Sequence, residues 1–251
     1  MNRRTEQAQA PPTETGTETG DIWQTRNEAL AALNSSLKPH GDAIREMFAL
    51  IDTSISDMEK VAEESGSNSR FASVAGLTAL KGRNLGLAAY SLALDGLAQE
   101  AGAVLRPLIE VLELLRYIRT EPHAIDQALD GKLPTAGGIA RKIDGTFHGL
   151  RRYLNDNAAH FGFTPDALRH MLDFNAGAKF RIVQSFRAGV PTINLGHVFC
   201  FLTLLAFESV NCLAKTEHMP VSAQALLGRI ERCRDNGVSL FKPYLELYAE
   251  A

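Results

Sequence analysis

Four polar side chains, Arg106, Glu110, Glu113 and Tyr117, interrupt an otherwise apolar run, AVLRPLIEVLELLRYI at 103–118. At about 100° per residue in an α-helix they fall within roughly 60° of one another, while Val104, Leu105, Leu108, Ile109, Val111, Leu112, Leu115 and Ile118 cover the rest of the circumference. A helix this apolar is buried, and a buried charge is costly unless it is paired. The stripe therefore has to meet water in a cleft, partner charges, or polar groups of a facing helix. A cation beside two carboxylates and a phenol can hold a ligand; the same four groups can equally form a structural network.

A second group lies downstream. Ile143, Phe147, Leu150, Tyr153 and Leu154 recur at spacings of three to four, which predicts one helix from Ile139 to about His160. On it Tyr153, Asn157 and His160 share a face within about 60°, together with Leu150, and that face points to the core. In one reading Asn157 and His160 are satisfied core groups near a helix end. In the other they oppose Arg106 and Glu110 across a helix pair, which makes a pocket with a cation, a carboxylate and an imidazole able to transfer protons.

The elements that must position these groups are almost all helical by pattern. Residues 1–20 hold two prolines, a duplicated TETG and almost no large apolar side chain, so a disordered tail is expected, followed by a single helical domain over 21–251. Asp21 reads as an N-cap and Trp23 as a packing anchor for the first helix. After Pro39, the residues Ile44, Met47, Phe48, Ile51, Ile55, Met58 and Val61 mark a second amphipathic helix. SGSNS at 65–69 reads as a loop, and a glycine-rich helix with Gly76, Gly82, Gly86 and Gly96 follows from 70 to about 99. Those small residues permit close helix packing. Pro107 sits either in the first turn of the striped helix or at a kink, and that helix ends near Thr120, before Pro122.

A further short helix is expected over 165–174. AKFRIVQSFRAGVPTINLG then predicts a small hairpin near 178–194, turning at Ala188 and Gly189. Residues 195–214 are apolar over nearly a membrane-spanning length. His197, Glu208, Ser209 and Asn211 interrupt them, so the segment reads as a core helix whose Glu208 needs a partner, in a structural ion pair or as a further site carboxylate. One or two more helices complete the chain. The expected class is all-α, a mainly helical bundle with one small β-hairpin.

Composition narrows function only by exclusion. The chain has 251 residues, 45% hydrophobic and 22% charged, with a formal net charge of −3, so nothing in the overall charge attracts nucleic acid or an anionic membrane. Cys200, Cys212 and Cys233 lie in apolar or helical contexts and read as buried thiols of a cytoplasmic protein. MNRR continues into polar sequence, so neither a secretory signal nor a membrane anchor is expected. The phosphate-loop, dinucleotide, nucleophile-elbow and HExxH patterns are missing, as are paired Glu-x-x-His motifs, so no metal or cofactor is expected. His40, His123, His148, His170 and His218 read as solvated.

The stretch KGRNLGLAAYSLALDGLAQEAGAVLRPLIEVLELLRYI, followed by GLRRYLNDNAAHFG, resembles a bacterial all-helical family related to the HEPN domains. The resemblance covers residues 70–162, within a core of about 70–215, and its pattern falls on Arg106, Glu110 and His160. It implies a homodimer that recognises a nucleotide, RNA or a protein partner in a stress or defence setting. It also implies an alternative, a metal-independent ribonuclease in which His160 is catalytic. The ribonuclease members place an arginine a short spacer before the histidine, where this chain has Tyr153, Leu154 and Asn155. Arg152 projects about 80° from His160 and Arg151 lies on the opposite face, so both read as solvated arginines. Binding by Arg106, Glu110, Glu113, Tyr117, Tyr153 and Asn157, without turnover, is thus the first expectation.

Overall fold

The computed structural model describes residues 23–64, 66–145, 147–159, 163, 168, 171–173, 177–181, 189–216 and 220–249. The tail, Asp21, His160, His170, the turn residue Ala188 and His218 lie outside them, as do all but 168 and 171–173 of the helix expected at 165–174. Among the described residues there are nine α-helices: α1 Gln24–Leu33, α2 Lys38–Glu63, α3 Ser67–Leu94, α4 Ala98–Thr120, α5 Ala124–Leu129, α6 Ala136–Lys142, α7 His148–Leu154, α8 Gly189–Lys215 and α9 Pro220–Ala249. A π-helical turn, Asn155–Ala159, continues α7. The all-α class is therefore correct.

Apolar periodicity explains the long helices. In α2, Ile44, Met47, Ile51, Met58 and Val61 are buried as their spacing requires, with Phe48 and Ile55 packed against the same core. The apolar α8 is the hub, packing on α2, α3, α4 and α9. Among the described residues it is the one helix long and apolar enough to cross a membrane, and most of that stretch is buried inside the bundle. Close approach to α8 relies on missing side chains in α3. A Cβ on Gly82 would lie 2.8 Å from Leu205 Cδ1, and one on Gly86 would lie 2.6 Å from Leu202 Cδ2. Glu208 finds its partner in Arg119, at 3.1 Å, tying α8 to the end of α4.

Several expectations need correction. Trp23 is no buried anchor: it is 54% exposed, with the Arg26 guanidinium over its ring. The loop at 65–69 is shorter, because α3 already starts at Ser67; Gly96 lies beyond α3, at φ 74°, in the turn into α4. Of the two places expected for Pro107 the structure takes the interior one, inside α4. His40 is buried, its Nε2 3.1 Å from the Leu240 carbonyl, because α9 lies over the start of α2. Cys212 and Cys233 are buried, whereas Cys200 is exposed.

The small hairpin exists, but upstream of its expected place. Leu172–Asp173 pairs antiparallel with Lys179–Phe180, with Leu172 opposite Phe180. Gly177 and Ala178, at φ 76° and 58°, supply left-handed backbone beside it, and Gly189 belongs to α8. Leu172 and Asp173 are thus strand, not helix.

The most consequential correction concerns 139–160, which is not one helix. α6 ends at Lys142, Asp144 takes φ 50°, and a new helix starts at His148. Apolar spacing runs through this break unchanged, so periodicity alone does not reveal it. The break lets α7 fold back over the groove between α4 and α8.

Candidate functional site

The stripe on α4 meets an arginine. Arg151 Nη1 lies 3.0 Å from Glu113 Oε2, and its Nη2 lies 3.4 Å from Glu110 Oε1. Arg151 is therefore not a solvated arginine: its side chain is only 13% exposed, while Arg152 does face solvent. The Glu113 side chain is 3% exposed, and burial holds its carboxyl above the usual range, an effect that Arg151 opposes. The guanidinium is close but not aligned for a hydrogen bond to Oε2, so burial outweighs the pairing. Oε1 is pressed toward Gly145, where a Cβ would lie 2.8 Å away.

Arg106 adds a looser contact, its Nη2 3.6 Å from Glu110 Oε1, while its Nε is buried with no hydrogen-bond partner. Tyr117 stands apart. Its buried hydroxyl donates to Gln127 Oε1 at 2.8 Å and accepts from Lys142 Nζ at 3.4 Å. The stripe is thus divided: Glu110 and Glu113 share Arg151, Arg106 edges onto Glu110, and Tyr117 fixes α5 and α6 against α4.

Beneath the start of α7, Glu113, Arg116, Phe147 and Glu208 border a niche of about 140 Å³. Beneath its end lies a larger, half-open cleft of about 350 Å³. The Phe147 and Phe201 rings meet between them, with centroids 6.3 Å apart.

The cleft contains the second expected group. Tyr153 lines it from α7 and Asn157 from the π turn, joined by Gln99 of α4 and by Asn194 and His197 of α8. Gln99 Nε2 donates to the Asn157 carbonyl at 2.8 Å, and Asn157 Nδ2 donates to the Tyr153 carbonyl at 3.0 Å. The backbone of Asn157 therefore meets Gln99, near the start of α4, while its side chain turns back to the Tyr153 carbonyl rather than to Arg106 or Glu110. Gly102 lets the π turn approach α4 this closely, since a Cβ there would lie 3.1 Å from Ala158 Cβ.

Two groups of α8 complete the cleft. Asn194 Nδ2 is buried without a hydrogen-bond partner. His197 is exposed and opens onto the cleft, and the protein packed on its other side shifts its imidazole below the usual histidine value. Leu150, Leu154, Ile193 and Phe201 give the walls an apolar surface.

Sequence reasoning missed Gln99, Asn194 and His197 as site residues. Gln99 precedes Arg106 by seven residues and so continues the α4 stripe within about 20°. Asn194, His197 and Glu208 interrupt the apolar α8 within about 60° of one another, a polar face that could have been read.

The chemistry available here is recognition. Among the described residues lining the cleft there is no Lys, Arg, Asp or Glu. The first turn of α4, which has no side-chain cap, borders it and contributes about 0.3–1 kcal/mol toward negative charge. Desolvating a carboxylate or phosphate with no cation to receive it costs several kcal/mol. Among the described residues no three His, Cys, Asp or Glu side chains group as metal ligands. Comparison with family models, with curated proteins and with solved structures found no match for this chain.

Proposed function

We propose that this chain is a cytoplasmic, HEPN-like helical binding module that captures its ligand in the cleft between α4, α7 and α8 without turning it over. The observation that carries the reading is the cleft itself, about 350 Å³ and large enough for a small ligand, in which Gln99, Tyr153, Asn157, Asn194 and His197 stand among apolar walls. His197 faces no nucleophile or carboxylate among the described lining residues, which supports binding over proton-transfer chemistry. Within the expected ligands, a nucleotide base, an RNA end or a protein group would offer its uncharged part to the cleft. Pairing of two copies belongs to the same proposal and is supported by the exposed Leu77, Leu80 and Leu87 on α3.

The test is a thermal-shift panel of nucleosides, nucleotides, short RNAs, amides and carboxylic acids against wild type, Asn194→Leu and Arg106→Ala. Mass action raises the melting temperature for any ligand bound by the folded state alone. The expected result is a shift in wild type that Asn194→Leu abolishes and Arg106→Ala keeps. Shifts that persist in Asn194→Leu would move the site elsewhere. RNA cleavage in excess EDTA by wild type, lost in a folded His160→Ala, would replace this reading with a metal-independent ribonuclease.

A further inference from the structure

We infer that two copies of this chain pair through α3, antiparallel across a two-fold axis at the level of Gly82, with Leu77 of each copy against Leu87 of the other. The inference rests on the pairing of two copies in the proposed function and specifies its face and orientation.

The spacing on α3 is that of a helix seam. Ser73, Leu77, Leu80, Asn84, Leu87 and Ser91 recur at alternating steps of four and three, the repeat that keeps one helix against another. They lie on the far side of α3 from the buried Ala75, Ala79, Gly82, Gly86 and Ala89, about 160° away. Leu77, Leu80 and Leu87 are 68%, 41% and 44% exposed, and among the described helices α3 alone exposes three large apolar side chains. Residues 1–20 offer almost no large apolar side chain to cover these leucines.

The stripe fits itself. Each end reads Ser then Leu, and Leu80 and Asn84 stand at equal distances from the middle. A two-fold therefore sets Leu77 on Leu87, Ser73 on Ser91 and Leu80 on Asn84, an isologous contact. Asn84 and its copy then flank the axis about 6 Å apart along the helices, and each amide has a donor and an acceptor to offer the other. A polar residue at one seam position also fixes the register. Charge does not oppose the contact. Arg83, beside the axis, already meets Asp52, with Nε 2.9 Å from Oδ1, and exposed Lys81 on the other flank carries its ammonium out to water on a long stem.

The test is sedimentation of the full chain at micromolar concentration, for wild type, for Leu77→Glu combined with Leu87→Glu, and for Val238→Glu, an exposed apolar position on α9. Wild type is expected to be a dimer. The paired glutamates should weaken it by at least about a hundredfold and Val238→Glu by less than about twofold, with helical circular dichroism unchanged in both. Orientation is read in a Cys200→Ser background, since Cys200 is exposed. Leu77→Cys and Leu87→Cys chains should form disulfide-linked dimers under mild oxidation when mixed, and neither should when alone. A wild type that stays monomeric overturns the pairing of two copies and this inference together. A dimer that survives the paired glutamates overturns the inference and leaves pairing to another face. Cross-links in Leu77→Cys alone overturn the antiparallel arrangement. The ligand cleft is tested separately, by the thermal-shift panel.

Discussion

The groove under α7 keeps its charges at one end and its neutral polar groups at the other. At the charged end Glu110, Glu113 and Arg151 answer one another, and the cavity left over is about 140 Å³. At the neutral end the cavity is about 350 Å³, and Asn194 Nδ2 has no hydrogen-bond partner. One short helix roofs both. Both ends leave buried polar atoms without a hydrogen-bond partner, Glu113 Oε2 and Arg106 Nε at the first and Asn194 Nδ2 at the second, so what separates them is the pairing of opposite charges at one and the larger cavity at the other. The charged end therefore reads as the anchor of α7 and the neutral end as the place a ligand enters.

The sharpest way to break this division is to remove the anchor. Arg151→Met leaves Glu113 buried without its cation, and urea unfolding should show a loss of about 3 kcal/mol, the lower end for a broken buried pair because Glu110 is partly exposed. Arg152→Met, at an exposed position, should leave the midpoint in place. A loss for Arg151→Met of under about 1 kcal/mol would reduce the network to an ordinary surface bridge.

Gly145→Ala tests the same end by crowding. Its Cβ would fall 2.8 Å from Glu113 Oε1 and 3.2 Å from the Ala140 carbonyl oxygen, so a loss of about 2 kcal/mol is expected in the same assay. A variant as stable as wild type would show that the Glu113 side chain gives way freely.

At the neutral end the sign should reverse. Asn194→Leu replaces an unsatisfied buried donor with an apolar group of similar size, and the ligand-free protein should gain about 1 kcal/mol.

The smallest effect is a pH slope. Because the folded-state carboxyl of Glu113 titrates above its ordinary 4.5, folded protein keeps a proton that unfolded chain releases in the window just above that value. Stability contributed by this group is full below the window and declines as pH rises through it. Glu113→Gln cannot titrate, so wild type should lose stability relative to it as pH rises from 4.5. A flat difference would place Glu113 in an ordinary environment.

How much of this was legible depended on whether one helix or two decided the outcome. The stripe on α4 and the apolar face of α2 were readable because each follows from spacing within a single helix. So was the need of Glu208 for a partner, although not that Arg119 would supply it. Arg151 was misplaced because its direction depends on the break at Asp144, where backbone conformation changes while apolar spacing does not. The π turn shifts Asn157 onto Gln99 for the same reason: an inserted residue in the helical register leaves no mark in an apolar pattern. The cleft needed knowledge that α4 and α8 run side by side, so that Gln99, Asn194 and His197, each a minor interruption in its own helix, converge.

The most direct measurement places Arg151→Met and Asn194→Leu side by side, each assayed for ligand-free unfolding free energy and with the thermal-shift panel. Opposite signs are expected: Arg151→Met loses stability, whereas Asn194→Leu keeps or gains stability and loses the ligand-induced shift. If Asn194→Leu instead loses stability while shifting with the panel as wild type does, the neutral end is structural and the division of the groove is wrong.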